Sequence, residues 1–419
     1  MSGTTHDRGL QAAAAGTGIN LALGVLYSWS IFKLAIKSSV ESGGSFRWDL
    51  AQLNDPYSVA CLVFAFSMIP AGRIQDRFGP RVTALVGGLL VGLGFLIVSR
   101  STAYAAWVLG FGVLAGTGIG FGYSAATPPA LKWFPPARTG LVAGVVVAGF
   151  GLASVYIAPL SRWLIGRFGL QTSMLFLGAG FVVVVGALSR LLVNPPAGWV
   201  PGRATAAAGR RTPSGSTAAP AAAANVGPAQ LLRSPVAWLL WATFFIGAGA
   251  GLMVIGSIGE MAKKSLGEAA FVAVVVMAIG NAGGRVAAGV ASDRFGRQPT
   301  LTAMLGAQAV LMLLASFVAA ADQANAAACL ALATLIGFNY GGNLSLFPSF
   351  TKDRFGLRNF GLNYGVIFTA WGVGGFIMSR LSQTLYAASH SYRPSCLIAG
   401  AMLAAGCLLS LRLRERRQS

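Results

Sequence analysis

The sequence predicts an all-α membrane protein, in which twelve transmembrane helices form two six-helix, pseudo-symmetric bundles. Charged residues make up only 10% of the 419 residues, whereas a soluble domain carries about 25%. Apolar runs long enough to cross a bilayer recur along the whole chain. In addition, one charged motif occurs twice, at equivalent places in the two halves.

The apolar runs define the individual helices. A run of about 20 residues crosses the hydrocarbon core as a helix. Lipid admits only helices or closed barrels, and these runs lack the alternating pattern of barrel strands. The twelve predicted spans are 10–36, 53–72, 82–99, 104–131, 138–160, 171–193, 235–258, 269–291, 300–320, 325–350, 360–380 and 394–411.

One segment interrupts this pattern and divides the spans six and six. Residues 194–229 are rich in Pro, Ala, Ser and Gly, a composition typical of flexible linkers. The sequence therefore predicts an N-terminal six-helix bundle over 1–193, a flexible cytoplasmic linker over 194–229 and a C-terminal six-helix bundle over 230–419.

The net charge of +20 is explained better by membrane topology than by nucleic-acid binding. With the N-terminus inside, most Lys and Arg residues fall in cytoplasmic segments, which is the positive-inside pattern. We therefore expect an integral protein of the cytoplasmic (inner) membrane with both termini in the cytoplasm. The lipid bilayer is a partner in this prediction, and nucleic acid is not.

The repeated motif reads GRIQDRFGPR at 72–81 and GVASDRFGRQ at 289–298. A carboxylate at a helix end can pair with a neighbouring helix N-terminus in one conformation and release it in another. Asp76, Arg77, Asp293 and Arg294 are therefore predicted to act in gating; the alternative is a merely tight, charged turn. The motif and its repetition resemble the signature loop of the major facilitator superfamily, whose members carry substrate between two halves.

Arg285 is the most informative single residue, because it lies within an apolar span that lacks a carboxylate. A charge inside a membrane is costly and marks a functional site by default, and a guanidinium matches a carboxylate in geometry. We therefore predict an anion site at Arg285, with Asn281 one turn away on the same face. The alternative is an arginine that snorkels to the interface or bonds backbone carbonyls. Lys33, near the external end of the first span, is explained almost as well by snorkelling to the outer interface as by a role in the pore.

Several stretches more specifically resemble the oxalate/formate antiporter and monocarboxylate transporter group. They are YSWSIF at 27–32, GTGIGFGYSAATPPALKWFP at 116–135, LLRSPVAWLLWATFF at 231–245, NAGGR at 281–285, NYGGNLSLFPS at 339–349 and NFGLNYG at 359–365. The resemblance implies that Arg285 binds a substrate carboxylate. It also implies that Tyr27, Tyr123 and Tyr340 line the pocket, although each tyrosine could instead be a packing residue.

Departures from the group narrow the implied substrate. The second cation of oxalate transporters is replaced by Trp371, and polar or tyrosine positions of their pocket correspond to Leu26, Phe150 and Leu344. The resemblance therefore implies a small monocarboxylate such as L-lactate or pyruvate. Animal monocarboxylate transporters resemble this chain in having a cation in the first span, as Lys33 is, but they carry Asp where Asn281 stands.

The predicted function is secondary transport by alternating access, coupled to a proton through Lys33. Anion exchange is the alternative, and a membrane anion sensor that moves nothing is the alternative from a different class. The spans contain no catalytic cluster and the chain has no Walker A motif, so no enzyme activity, cofactor or metal is expected.

Overall fold

The computed structural model of the chain describes residues 2–196, 199, 225–255, 258–320 and 325–413. Most of the predicted linker, 194–229, lies outside the described residues. Eleven helices in the described part are long and apolar enough to cross a membrane. One of these contains a backbone break at Gly169, where φ is +77°, so it comprises two spans. The described residues thus form twelve spanning helices and no β-strand, which confirms the predicted fold class.

The twelve helices overlap the twelve predicted spans, although five of them end five to nine residues later than predicted. They are α1 (Arg8–Glu41), α2 (Asp55–Phe78), α3 (Pro80–Arg100), α4 (Tyr104–Trp133), α5 (139–168), α6 (170–189), α7 (Pro235–Ile255), α8 (Phe271–Phe295), α9 (Arg297–Ala320), α10 (Ala326–Phe355), α11 (Phe360–Ser389) and α12 (Arg393–Ser410). The first helix extends about one turn beyond its predicted end at residue 36, because the segment up to Glu41 is amphipathic and remains helical as it leaves the apolar region.

Two helices change their winding. In α1, residues Gly24–Ser28 form a 3₁₀ segment, and in α4, residues Val108–Ala115 form a π-helical segment. Such changes in the middle of a helix often mark functional positions. The one in α1 places Leu26 and Tyr27 where the helix turns most tightly.

The two DRFG loops, 76–79 and 293–296, lie at one end of the bundle, which we call the DRFG face. The Asp76 carboxylate accepts hydrogen bonds from the backbone N–H groups of Gly361 (3.1 Å) and Leu362 (3.0 Å), at the start of α11. A helix N-terminus carries unpaired N–H groups and a partial positive charge, so a carboxylate stabilises it. This contact joins the two halves.

The second motif makes the pseudo-symmetric contact. Asp293 accepts from the N–H groups of Gly140 and Leu141, both at 2.8 Å, at the start of α5. Glycines allow the backbones to approach at both places: a Cβ atom on Gly72 would overlap the Gly361 carbonyl, and one on Gly140 would overlap the Gly289 carbonyl. The α2–α11 and α5–α8 pairs therefore close the DRFG face.

Candidate functional site

Arg285 lies in α8 at the junction of the two halves and is only 1% exposed. Its Nε donates to Oδ1 of Asn281 at 2.8 Å, and its Nη1 donates to the backbone carbonyl of Val147 in α5 at 2.6 Å. Its Nη2 is buried and has no hydrogen-bond partner among the described residues. These two hydrogen bonds use two of the five N–H groups of the guanidinium, and the two N–H groups of Nη2 have no hydrogen-bond partner among the described residues.

The electrostatics of this arrangement favour an anion. None of the ion pairs found in the described residues involves Arg285. Burying a charge costs several kcal/mol unless an opposite charge compensates it, and two carbonyl-type oxygens supply only partial negative charge. A carboxylate would satisfy Nη2 and neutralise the site.

Three tyrosines surround the guanidinium. Tyr27 in α1 and Tyr123 in α4 both lie close enough to Arg285 for polar interaction with it. The hydroxyl of Tyr340 in α10 accepts a 2.8 Å hydrogen bond from Nε1 of Trp371 in α11. The structure therefore brings together the three tyrosines, Trp371 and Arg285 that the sequence analysis singled out.

Aromatic rings from both halves enclose this polar group. Phe150 packs edge-on against Tyr27 (5.2 Å between centroids) and against Tyr123 (5.5 Å). Phe64 in α2 contacts Phe150, Tyr123 and Trp371, and also lies 5.1 Å from Phe368 in α11. The arrangement places a cationic group beside aromatic rings, which are the two kinds of group that contact a small organic anion.

The sequence analysis missed two of these rings. Phe368 precedes Trp371 by three residues, so it shares the helix face of a residue already singled out, and that spacing could have identified it. Phe64 carries no such signal. Phe66, two residues away, is 48% exposed while Phe64 is buried, and only packing separates them.

Other predicted site residues lie farther from the guanidinium or have no described contact with it. Leu26 and Leu344 are buried in the same apolar core. Lys33 is half-buried in the outer part of α1, and the described residues include no ion-pair partner for it. The structure thus does not bring Lys33 into the Arg285 group.

Around the DRFG face the arginines of the motif differ from the aspartates. Arg77 lies over the ring of Phe78 and Arg294 over that of Phe295, at 5.3 and 6.0 Å. Neither takes part in the described contacts between halves. An arginine that the sequence analysis did not single out, Arg297, supports one of the aspartates from within the C-terminal half: it pairs with Asp293 at 2.6 Å and with Asp353 at 2.9 Å.

The two ends of the bundle differ in the contacts that their helices make. The DRFG face is closed by the α2–α11 and α5–α8 contacts. On α1, the stripe that begins at Tyr27 continues through Ser30 and Leu34, since residues spaced three and four apart share a face. Ser30 and Leu34 are both exposed, so this stripe of α1 is not covered by other helices toward the opposite end.

Comparison with known proteins defines the class. A family profile described as Major Facilitator Superfamily matches residues 12–379 and 255–419. The solved structure of the proton:xylose symporter XylE superposes with a TM-score of 0.72 at 13% identity, covering 97% of this chain and 96% of that one. The chain belongs to the Major Facilitator Superfamily, a superfamily of membrane transporters.

Within that superfamily the chain is similar to two groups of curated proteins. It is 29% identical over 355 residues to the oxalate:formate antiporter of Oxalobacter formigenes, covering 83% of this chain and 77% of that protein. It is 26% identical over 391 residues to monocarboxylate transporter 13 of Bos taurus, covering 92% and 84%. The resemblance noted from the motifs is thereby confirmed at the level of the group.

Proposed function

We propose that this protein is a secondary transporter of a small monocarboxylate of the L-lactate or pyruvate class. The observation that carries the proposal is the buried Arg285, which has neutral partners and an unused Nη2 donor. A substrate carboxylate would accept from the guanidinium as a planar, two-point ligand. Asn281 would keep the guanidinium oriented through Nε.

The rest of the pocket supports a single carboxylate. Phe150, Trp371 and Leu344 are buried and apolar, and none of them offers a positive charge to a second carboxylate. A dianion such as oxalate would leave one charge unpaired in a dry site, which is unfavourable. A short aliphatic end packs well against such residues. The hydroxyls of Tyr123 and Tyr340 supply hydrogen bonds to a hydroxyl or keto group.

Alternating access follows from the arrangement of the halves. We propose that Asp76 and Asp293 hold the DRFG face closed by bonding the starts of α11 and α5. Release of these bonds lets the halves rock and exposes Arg285 to the other side. A bound anion neutralises the guanidinium, so the halves close around an ion pair rather than around a lone charge.

Orientation and coupling complete the proposal. Basic residues concentrate at the DRFG face, so we assign this face, and both termini, to the cytoplasmic side of the inner membrane. We propose proton symport with Lys33 as the coupling group, because it is a titratable cation within the first span. Anion exchange, as the name of the Oxalobacter relative describes for that protein, is the alternative.

Counterflow in proteoliposomes tests the proposal. With the purified protein, internal unlabelled lactate should drive uptake of labelled lactate and pyruvate much more strongly than uptake of labelled oxalate. Preference for oxalate would contradict the monocarboxylate assignment. Binding without any counterflow would favour the sensor.

Coupling is read from a separate measurement. Lactate added outside vesicles that lack internal anion should alkalinise the external medium if a proton accompanies the anion. Uptake that strictly requires an internal counter-anion would establish exchange instead. Lys33→Gln should abolish the alkalinisation while counterflow persists, and unchanged alkalinisation would remove Lys33 from the scheme.

A further inference from the structure

A groove on the outer surface of the N-terminal half has no role in the transport scheme. It lies between α3 and α6 at the DRFG face and has a volume of about 530 Å³. That space is far larger than the roughly 30 Å³ that one water occupies. Its walls are apolar, with Leu85 of α3 and Val182 and Val183 of α6 among them.

Two arginines complete the groove. Arg81, at the start of α3, and Arg190, at the end of α6, both line it and are both exposed. None of the residues that line the groove is acidic. The groove therefore joins an apolar trough to two adjacent positive charges, at the depth where a helix emerges from the hydrocarbon into the headgroup region.

The shape has a local cause in the packing of α3 and α6. Farther from the DRFG face the helices touch, because a Cβ on Gly88 would lie 2.9 Å from the Val185 side chain. Toward the DRFG face they diverge. Gly186 contributes no side chain there, and an added Cβ would meet only the Leu85 side chain, at 3.9 Å.

The corresponding helices of the C-terminal half are closed at this place. Hydroxyls of Thr302 in α9 and Ser410 in α12 lie 2.7 Å apart, and Sγ of Cys407 donates to the Thr302 carbonyl at 3.5 Å. Gln298 at the start of α9 bonds the same Thr302 hydroxyl. The groove is thus a feature of one half and not of the repeated fold.

We propose that this groove binds one anionic phospholipid of the adjacent leaflet. The phosphate accepts from Arg81 and Arg190, and an acyl chain lies along Leu85 and Val183. Guanidiniums bind phosphate in a planar, two-point manner, and basic pockets between transmembrane helices are suited to lipid headgroups. Because Arg81 and Arg190 are both positively charged, the site should bind an anionic headgroup in preference to a zwitterionic one.

Lipid binding to the purified full-length protein in detergent tests this proposal. Native mass spectrometry should show one phosphatidylglycerol retained in preference to phosphatidylcholine. Each basic residue near an anionic lipid contributes about fivefold, so the preference should fall by about 30-fold in Arg81→Gln/Arg190→Gln. The control, Arg233→Gln/Arg412→Gln, removes two other exposed arginines at the same face and should leave the preference unchanged.

Two further experiments distinguish binding of a whole phospholipid from binding of a free phosphate compound. Gly186→Leu keeps both arginines but fills the trough, so it should also weaken phosphatidylglycerol binding. Free glycerol phosphate should not compete at concentrations that match the lipid. Equal loss in the control pair, unchanged lipid preference in Arg81→Gln/Arg190→Gln, or full competition by glycerol phosphate would each overturn the proposal.

Discussion

Arg285 and Arg297 are both buried arginines of the C-terminal half, yet their surroundings are opposite. Arg297 is 6% exposed and lies against the carboxylates of Asp293 and Asp353. Arg285 is 1% exposed and lies against an amide oxygen and a backbone carbonyl. The first charge is compensated within the protein. The charge of Arg285 is not compensated. This difference indicates that Arg297 stabilises the structure, whereas Arg285 is suited to bind an anion.

The contrast predicts that the two arginines differ in what their removal does to stability. Arg297→Gln leaves the carboxylate of Asp293, whose side chain is 11% exposed, without its cation, and breaking such a pair costs about 3 kcal/mol. Arg285→Gln removes an uncompensated charge, so it should leave stability unchanged or raise it. The unfolding temperatures of both variants, measured in the same detergent, test this prediction. Arg412→Gln, which removes an exposed arginine, is the control.

Equal destabilisation by the two substitutions would contradict the comparison. It would mean that Arg285, like Arg297, is compensated by the protein itself. The anion-site assignment would then lose its electrostatic reason.

Giving Arg285 a neighbouring carboxylate, as Arg297 already has, tests the comparison more sharply. Asn281→Asp places a carboxylate beside Arg285 that competes with the substrate, so lactate affinity at neutral pH should fall about tenfold, equivalent to roughly 1.4 kcal/mol. The introduced carboxylate is ionised above its pKa, so competition is lost and affinity recovers as the pH falls through that value. Direct binding measured between pH 4 and 8 reads this out.

Asn281→Leu is the matched control, because it removes the Nε partner without adding a charge. It should retain affinity to within a few-fold and introduce no new dependence on pH. A similar loss in both variants, constant with pH, would show that Asn281 acts by hydrogen bonding alone.

The smallest predicted effect compares the two gate carboxylates. Asp293 has Arg297 beside it, and Lys352 contacts Thr139 at the start of the same α5. Near Asp76, Lys132 is close enough to interact electrostatically but donates to Asn194 and forms no ion pair with Asp76 among the described contacts. Asp293→Asn should therefore loosen the start of α5 about 1 kcal/mol more than Asp76→Asn loosens the start of α11.

Hydrogen exchange at residues 139–145 and 360–366 measures these two openings separately. Equal protection losses in the two variants would show that the motif alone sets the strength of the gate. In that case Arg297 adds nothing to it.

The sequence was sufficient for the fold, because bilayer-length apolar runs, loop charges and a repeated motif all depend on local composition. It also singled out Arg285 and Asn281, since a charge in an apolar run is conspicuous and a spacing of four places both on one helix face. Their role in binding stays a prediction.

Features that arise from packing could not be predicted. Phe64 and Phe66 look equivalent in the sequence, and Arg297 follows a helix-ending glycine where an exposed loop charge was the natural expectation. The groove between α3 and α6 exists because two helices diverge. No residue pattern in either helix alone specifies that divergence.

The most direct test of the central claim is lactate transport by Arg285→Gln in proteoliposomes, beside Arg285→Lys and the wild type at equal reconstitution. Loss of the guanidinium removes at least two charge-assisted hydrogen bonds to the anion, so lactate counterflow should fall at least 100-fold in Arg285→Gln while unfolding temperature holds. Lysine keeps the charge without the planar fork and should restore only part of the activity. Normal lactate counterflow by Arg285→Gln would contradict the account.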